Sequence, residues 1–321
     1  MAAATRRRKV RRPVEVKPGH RVITFERTYP RYHGHVIKPF NEEESLVIQV
    51  MYACAHGKCI FCGSYMGKAF RLRPLEYIRE DINGVEDGIK QHVTRVFLSD
   101  GDVLTLPLSR MVDILDTLKA TFPRLQRVSA YATPHSLLPL SVDELREMRD
   151  HGLELLSVGL ESGDDVTLAL SGRGLSAAQQ VRAFTKPKQA GIALSVTSIL
   201  GLGGTERSTQ HARSTGLALT AVDPQFIDVI SLMPEPGTRL AEAVRGGQFV
   251  LPESAGLLQE LRVMVSETHV TQAAFRTNHA PEYLDVTGTL PDDRDRILGA
   301  VDALLSRGDL PPLRPEDLRG L

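Results

Sequence analysis

Six short apolar runs, rich in β-branched residues and separated by helical patterns, constrain the fold of this chain more than any other feature. The runs cover residues 46–51, 93–98, 126–131, 153–160, 192–200 and 226–233. Helical patterns separate or follow them at residues 75–89, 108–121, 141–151, 176–190, 206–221 and 252–270. This alternation is typical of buried parallel strands joined by crossover helices. The sequence therefore predicts an α/β fold built on one parallel sheet.

Right-handed crossovers curl such a sheet into a barrel or into a doubly wound open sheet. Both folds bind their ligands at the carboxyl ends of the strands. We therefore expect the functional residues in the segments that directly follow the apolar runs.

Composition and charge narrow the class of protein. Hydrophobic residues make up 42% of the chain and charged residues 24%, which is ordinary for a globular enzyme. Lys+Arg and Asp+Glu both number 39, so no overall attraction to nucleic acid or to a membrane is expected. The sequence has no signal peptide and no apolar run of membrane-spanning length, and its cysteines are clustered; together these predict a cytoplasmic protein.

The N-terminal segment is strongly basic. Residues 1–13 lack apolar periodicity and carry Arg6, Arg7, Arg8, Lys9, Arg11 and Arg12. We interpret this segment as a disordered arm, with contact to RNA phosphates as the alternative.

All three cysteines, Cys54, Cys59 and Cys62, lie in one C-x4-C-x2-C motif after the first apolar run. Thiolates without carboxylates at matching spacing favour iron–sulfur or zinc over hard cations. Three protein ligands leave one coordination position open, which is typical of catalytic sites. A zinc-dependent hydrolase or lyase is one alternative, and three buried free thiols are another.

The motif, with Phe61 just before its last cysteine, resembles the cluster loop of the radical S-adenosylmethionine (SAM) enzymes. Most members have C-x3-C-x2-C, so the first gap here is one residue longer. The resemblance implies a partial (β/α)6 TIM-type barrel and a [4Fe-4S] cluster held by Cys54, Cys59 and Cys62. It also implies reductive cleavage of SAM to a 5′-deoxyadenosyl radical that takes hydrogen from a small-molecule substrate. The electron would come from a donor such as flavodoxin or ferredoxin.

Two acidic segments match the expected SAM site. After the second run, Ser99-Asp100-Gly101-Asp102 corresponds by resemblance to the segment that receives the SAM ammonium group; Asp102 is the favoured contact, and Asp100 is the alternative. After the fourth run, Glu161 is followed by Ser162-Gly163, similar to a SAM-contacting segment of the branch containing oxygen-independent coproporphyrinogen oxidase and Elongator subunit 3. Asp164 or Asp165 is expected to cap the following helix.

The last two runs complete the predicted cofactor site. By resemblance, Ser195, Thr197 and Gly201 are candidates for ribose or methionyl contacts. Phe61 is a further candidate for cofactor binding. Met233 is a candidate adenine contact, and a buried core methionine is the alternative.

The chain is predicted to have three parts: an N-terminal arm and extension (1–44), the radical SAM core (45–274) and a C-terminal cap (275–321). Candidates for substrate contact or catalysis are His135, Arg276 and His279. The guanidinium group of Arg276 can bind an anion through two hydrogen bonds, and the two histidines can act as bases. Solvated surface loops are the alternative. Aromatic residues make up only 5% of the chain, so a nucleic-acid base is not specifically favoured as the substrate.

Overall fold

The computed structural model describes residues 29–279 and 286–307. The strands are β1 Leu46–Gln49, β2 Met51–Tyr52, β3 Arg71–Leu72, β4 Arg95–Ser99, β5 Arg127–Ala132, β6 Leu153–Glu161, β7 Ala193–Leu200, β8 Phe226–Ser231, β9 Ala273–His279 and β10 Thr287–Leu290. The helices are α1 Leu75–Asn83, α2 Asp87–Lys90, α3 Leu108–Thr121, α4 Pro134–Leu137, α5 Val142–Asp150, α6 Asp165–Leu170, α7 Ala177–Ala190, α8 Gly204–Val222, α9 Arg239–Arg245, α10 Ser254–Glu267 and α11 Arg294–Leu305. The predicted basic arm lies outside the described residues.

The main sheet has the strand order β1-β4-β5-β6-β7-β8-β9-β10. The pairs from β1 to β9 are parallel, and β10 is antiparallel to β9. Strands β2 and β3 form a separate antiparallel ribbon. Because β1 and β10 are the two ends of the sheet, the barrel is partial, as predicted, and the six predicted strands are β1 and β4 to β8.

Alternation along the strands separates a helix-facing side from an inner side. On β7, Leu194, Val196 and Leu200 belong to the hydrophobic core that the helices cover. The intervening Ser195 and Thr197 therefore face the inside of the barrel. We call this inner space the lumen.

Local signals account for the helix boundaries. Ser141 and Ser176 each form a capping box at the start of α5 and α7. Asp164 caps α6 by accepting the backbone N–H of Thr167 at 3.0 Å, which confirms the expected capping. Gly84 ends α1, so the helical pattern predicted over residues 75–89 is divided into two helices.

Strand β9 was not predicted, and it contains the start of the segment interpreted as a cap. Phe275 and Thr277 are buried, while Arg276 between them faces the other side of the sheet. The sequence signal for this strand is weaker than that for the other strands, because Arg276 interrupts the apolar run. Its side chain faces the lumen, not the helix-covered core. None of the helices in the two described ranges is both long and apolar enough to cross a membrane.

Candidate active site

The loop between β2 and β3 carries the three cysteines at the carboxyl edge of the sheet, and none of them forms a disulfide. Burial raises the pKa of each thiol, and a neighbouring thiol adds to the effect: Cys62 on Cys54, Cys54 on Cys59 and Cys59 on Cys62. The three thiols are therefore close enough to act on one another. This soft donor set suits iron–sulfur chemistry.

No three His, Cys, Asp or Glu side chains in residues 29–279 and 286–307 are placed to hold a single metal ion. Each thiolate ligand of a [4Fe-4S] cluster binds a different iron. Ligands of a cluster therefore need not converge on one point, and the arrangement fits a cluster.

The end of β4 lies against the cysteine loop. The backbone N–H of Gly101 donates to the hydroxyl oxygen of Tyr65, a loop residue, at 3.0 Å. The carboxylate of Asp100 accepts from Gln49 Nε2 and from Ser99 Oγ, both at 2.9 Å. These bonds connect β1, β4 and the loop at one point.

Asp102 is 1% exposed, and its carboxylate is held by the segment that follows β5. It accepts from Thr133 Oγ1 at 2.7 Å, from the Thr133 backbone N–H at 3.1 Å and from Ser136 Oγ at 2.5 Å. Burial raises the pKa of Asp102, and the bonds from Ser136 and Thr133 oppose this change. Asp102 thus positions the start of α4.

Glu161 lies at the end of β6, next to the cysteine loop. Its Oε1 is 3.8 Å from Arg173 Nη1, and the same nitrogen is 3.8 Å from the Sγ of Cys59. Arg173 also donates to the carbonyl oxygen of Gly159 and, at 3.2 Å, to Gln180 Oε1. Burial raises the pKa of Glu161, and the charge of Arg173 lowers it. Arg173 therefore connects the cysteine loop to a predicted SAM ligand.

The backbone that follows the carboxyl end of β7 is hydrogen-bonded to helix α10. The backbone N–H of Gly201 donates to Glu260 Oε2 at 2.6 Å, and Gly201 has φ +83°, where glycine is favoured. Phe61 packs against a small apolar cluster at this exit that contains Ile199 and Leu232. Met233 follows Leu232 and is partly exposed.

Arg276 lies on β9 and faces the lumen. Its Nε is 2.9 Å from Asp228 Oδ1, and its guanidinium carbon lies 5.5 Å from the centre of the Phe226 ring. Asp228 also accepts from Ser195 Oγ at 2.6 Å, so this candidate SAM contact is already engaged. For His279, the described backbone pairs with Ile230.

His135 lies against the cysteine loop. Its ring stacks on His56 of that loop, with centroids 4.1 Å apart. A cavity of about 530 Å³ opens here and is lined by residues that include His56, Lys58, Leu108 and His135. Burial lowers the pKa of His135 to about 4, so its ring is neutral at neutral pH.

Three residues of the site were missed by sequence reasoning. Arg173 is flanked by Gly172 and Gly174, and this loop composition was the one local signal available. Tyr65 and Asp228 carry no local signal, because their partners come from other strands.

Comparisons with known proteins identify the family of the chain. A family model described as the radical SAM superfamily matches residues 48–214. The heme chaperone HemW of Bacillus subtilis (strain 168) is 23% identical over 195 residues, which cover 60% of this chain and 51% of that protein. The chain thus spans about half the length of this curated relative.

Two solved structures share the fold. Methylornithine synthase (PylB) has 18% identity and a TM-score of 0.50, with 84% of this chain and 83% of that chain covered. Coproporphyrinogen III oxidase (HemN) from Escherichia coli has 16% identity and a TM-score of 0.51, with 70% and 52% covered. Together with the cysteine loop, the family match shows that this chain belongs to the radical SAM superfamily, whose enzymes use a [4Fe-4S] cluster and SAM.

Proposed function

We propose that Cys54, Cys59 and Cys62 hold the cluster, that SAM binds beside them at the carboxyl edge of the sheet, and that a small-molecule substrate occupies the lumen. The contact of Arg173 with both Cys59 and Glu161 carries this proposal, because it connects the cysteine loop to the carboxyl end of β6. A buried cation beside a thiolate and a carboxylate suits a site that accumulates negative charge.

Within this proposal, Glu161, Thr197, the backbone at Gly201, Phe61 and Met233 contact SAM. Glu161 is the strongest candidate, since its carboxylate lies next to the cysteine loop and has one cationic neighbour at 3.8 Å. Asp102 and Ser195 are already engaged in the hydrogen bonds described above. We propose that they affect SAM binding indirectly, Asp102 by positioning Thr133 and Ser195 by positioning Asp228.

When bound, the cluster supplies the electron that splits SAM into methionine and the 5′-deoxyadenosyl radical, which takes hydrogen from the substrate. The protein then has to exclude water and to hold the substrate in position. Arg276, His279 and His135 are the proposed substrate contacts, and a donor such as flavodoxin or ferredoxin is proposed to reduce the cluster. The division at residues 44 and 274 stays a prediction, with the second boundary inside β9.

Anaerobic reconstitution tests the proposal. The wild-type protein should be brown, contain about four irons per chain and release 5′-deoxyadenosine from SAM and dithionite. Cys59→Ala should lose both iron and product, whereas Lys58→Ala, a change at the exposed neighbouring residue, should keep both. A colourless protein that binds zinc stoichiometrically and forms no 5′-deoxyadenosine would instead support the hydrolase or lyase alternative.

A further inference from the structure

We propose that the substrate carries a carboxylate group, which Arg276 binds inside the lumen. This inference rests on the proposed function, because it assumes that the substrate occupies the barrel. It adds a chemical class that neither the family match nor the motifs provide.

The guanidinium group of Arg276 is only partly neutralised by its neighbours. Its side chain is 20% exposed and pairs with Asp228 through Nε, while Nη2 is buried and has no hydrogen-bond partner. A buried donor without a partner is destabilising, and more so when it belongs to a charged group. The planar fork of arginine matches the two oxygens of a carboxylate. A bound carboxylate would remove this cost.

Two further hydroxyl groups of the inner wall also lack partners. Ser129 is 0% exposed and Ser157 is 4% exposed, and the Oγ of each has no hydrogen-bond partner. Both occupy inner positions of their strands, since the alternating Val128, Ala130, Leu156 and Val158 belong to the helix-covered core. The strand register places Ser157 two residues and Ser129 four residues below the level of Arg276, so Arg276 is the donor that would bind the carboxylate itself.

Strand register gives the depth of the proposed carboxylate site. Arg276 is paired with Asp228, Asp228 with Thr197, and Thr197 with Gly159. The strand β6 bulges after Gly159, so that Glu161 pairs with Ser198, the residue that follows Thr197. Arg276 therefore lies only one residue, roughly 3 Å, below the level of Glu161 along the strands. The proposed carboxylate site is thus directly below the strand ends that are proposed to contact SAM.

Charge favours a carboxylate over a phosphate. Asp228 is a fixed negative group beside Arg276, and it would repel a dianion more strongly than a monoanion. A planar monoanion that uses the free edge of the guanidinium group avoids most of this repulsion.

The carboxylate could also be that of SAM, and the experiment has to separate the two sources. Reconstituted protein with saturating SAM is titrated with succinate or with its neutral analogue succinamide, and binding is followed by ligand-observed NMR. SAM affinity is measured separately by calorimetry. Arg276→Gln removes the charge, Asp228→Asn removes the competing anion, and Arg262→Gln changes an arginine that pairs with Asp302 on the outer helices.

Wild type and Arg262→Gln should bind succinate at least tenfold more tightly than succinamide. Arg276→Gln should abolish this preference, and Asp228→Asn should increase it severalfold because the guanidinium group is then free of its internal partner. Equal affinity for the two probes in wild type, or an unchanged preference in Arg276→Gln, would overturn the proposal.

A tenfold loss of SAM affinity in Arg276→Gln would overturn it as well, by assigning the carboxylate to SAM. Failure of the proposed function is distinct, because it would appear in the wild-type protein as a lack of iron and of 5′-deoxyadenosine. If Arg276→Gln does not fold, the increase expected for Asp228→Asn still decides the question.

Discussion

Gly101 lies directly against Cys54, so that a Cβ atom at Gly101 would be 2.5 Å from the Cα of Cys54 and 2.6 Å from the carbonyl oxygen of Ala53. Backbone atoms cannot yield as a flexible side chain can. The end of β4 therefore fixes where the first cysteine of the loop is placed.

Replacing Gly101 by alanine should displace Cys54 and reduce cluster content. We expect Gly101→Ala to hold less than half of the wild-type iron after anaerobic reconstitution, measured by iron and sulfide analysis. Gly67→Ala is the matched control, since Gly67 also has positive φ but has no atom within 4 Å of an added Cβ. Equal iron in Gly101→Ala and wild type would show that the contact does not position Cys54.

Removing the charge of Glu161 should weaken SAM binding without removing the cluster. Glu161→Gln keeps the size and the polar end of the side chain, so the expected loss of about tenfold in affinity, or about 1.4 kcal/mol, reflects charge. Calorimetry on reconstituted protein measures it. Glu154→Gln, an exposed position of the same strand, should bind SAM as wild type does. Unchanged affinity in Glu161→Gln would remove Glu161 from the SAM site.

Asp102 should contribute to stability through the bonds that it accepts. In Asp102→Asn one carboxylate oxygen becomes an N–H donor, which cannot accept from Thr133 or Ser136. We expect a loss of about 1–3 kcal/mol in the free energy of unfolding, measured with urea on the apoprotein. Asp143→Asn removes an exposed ion pair with Arg146 and should change stability by less than about 1 kcal/mol. A similar small change in Asp102→Asn would contradict the structural role.

The buried pair of Glu260 and His211 should make stability depend on pH in opposite directions. Burial raises the pKa of Glu260 to about 7, so the folded state keeps a proton that the unfolded state loses above about pH 4.5. Stability therefore falls as pH rises between these values. Burial lowers the pKa of His211 to about 4, and stability rises with pH from there to about 6.5. The two slopes offset each other in the wild type.

Glu260→Gln should reveal the slope of His211 alone. Its free energy of unfolding should rise by up to about 3 kcal/mol between pH 4 and pH 6.5, more steeply than in wild type, in urea titrations at half-unit steps. Glu267→Gln, on the same helix but partly exposed, is the control. Parallel pH profiles of Glu260→Gln and wild type would refute the opposing contributions.

The sequence predicted those parts of the molecule that depend on local patterns. The apolar runs of β6 and β7 are buried on both sides, so their strands could be recognised without knowing their neighbours. The cysteine loop was recognisable because its three cysteines lie within nine residues. Arg173 could not be assigned, since its partner Cys59 is 114 residues away and only the folded sheet brings the two together.

Strand β9 was also not predictable from local sequence. Its residues alternate between core and lumen, and the lumen position is filled by Arg276 instead of an apolar side chain. Propensity alone gives little reason to place arginine inside a sheet. The reason is Asp228 on the neighbouring strand, which pairs with it at 2.9 Å.

The open sheet order from β1 to β10 frees this fold from a rule that closed barrels obey. In a closed barrel the number of strands and their stagger together determine the diameter. A sheet with two ends has no such relation, and its two edges can differ, as they do here: β1 is parallel to its neighbour and β10 is antiparallel to its own. The diameter of the lumen is therefore not determined by the number of strands alone.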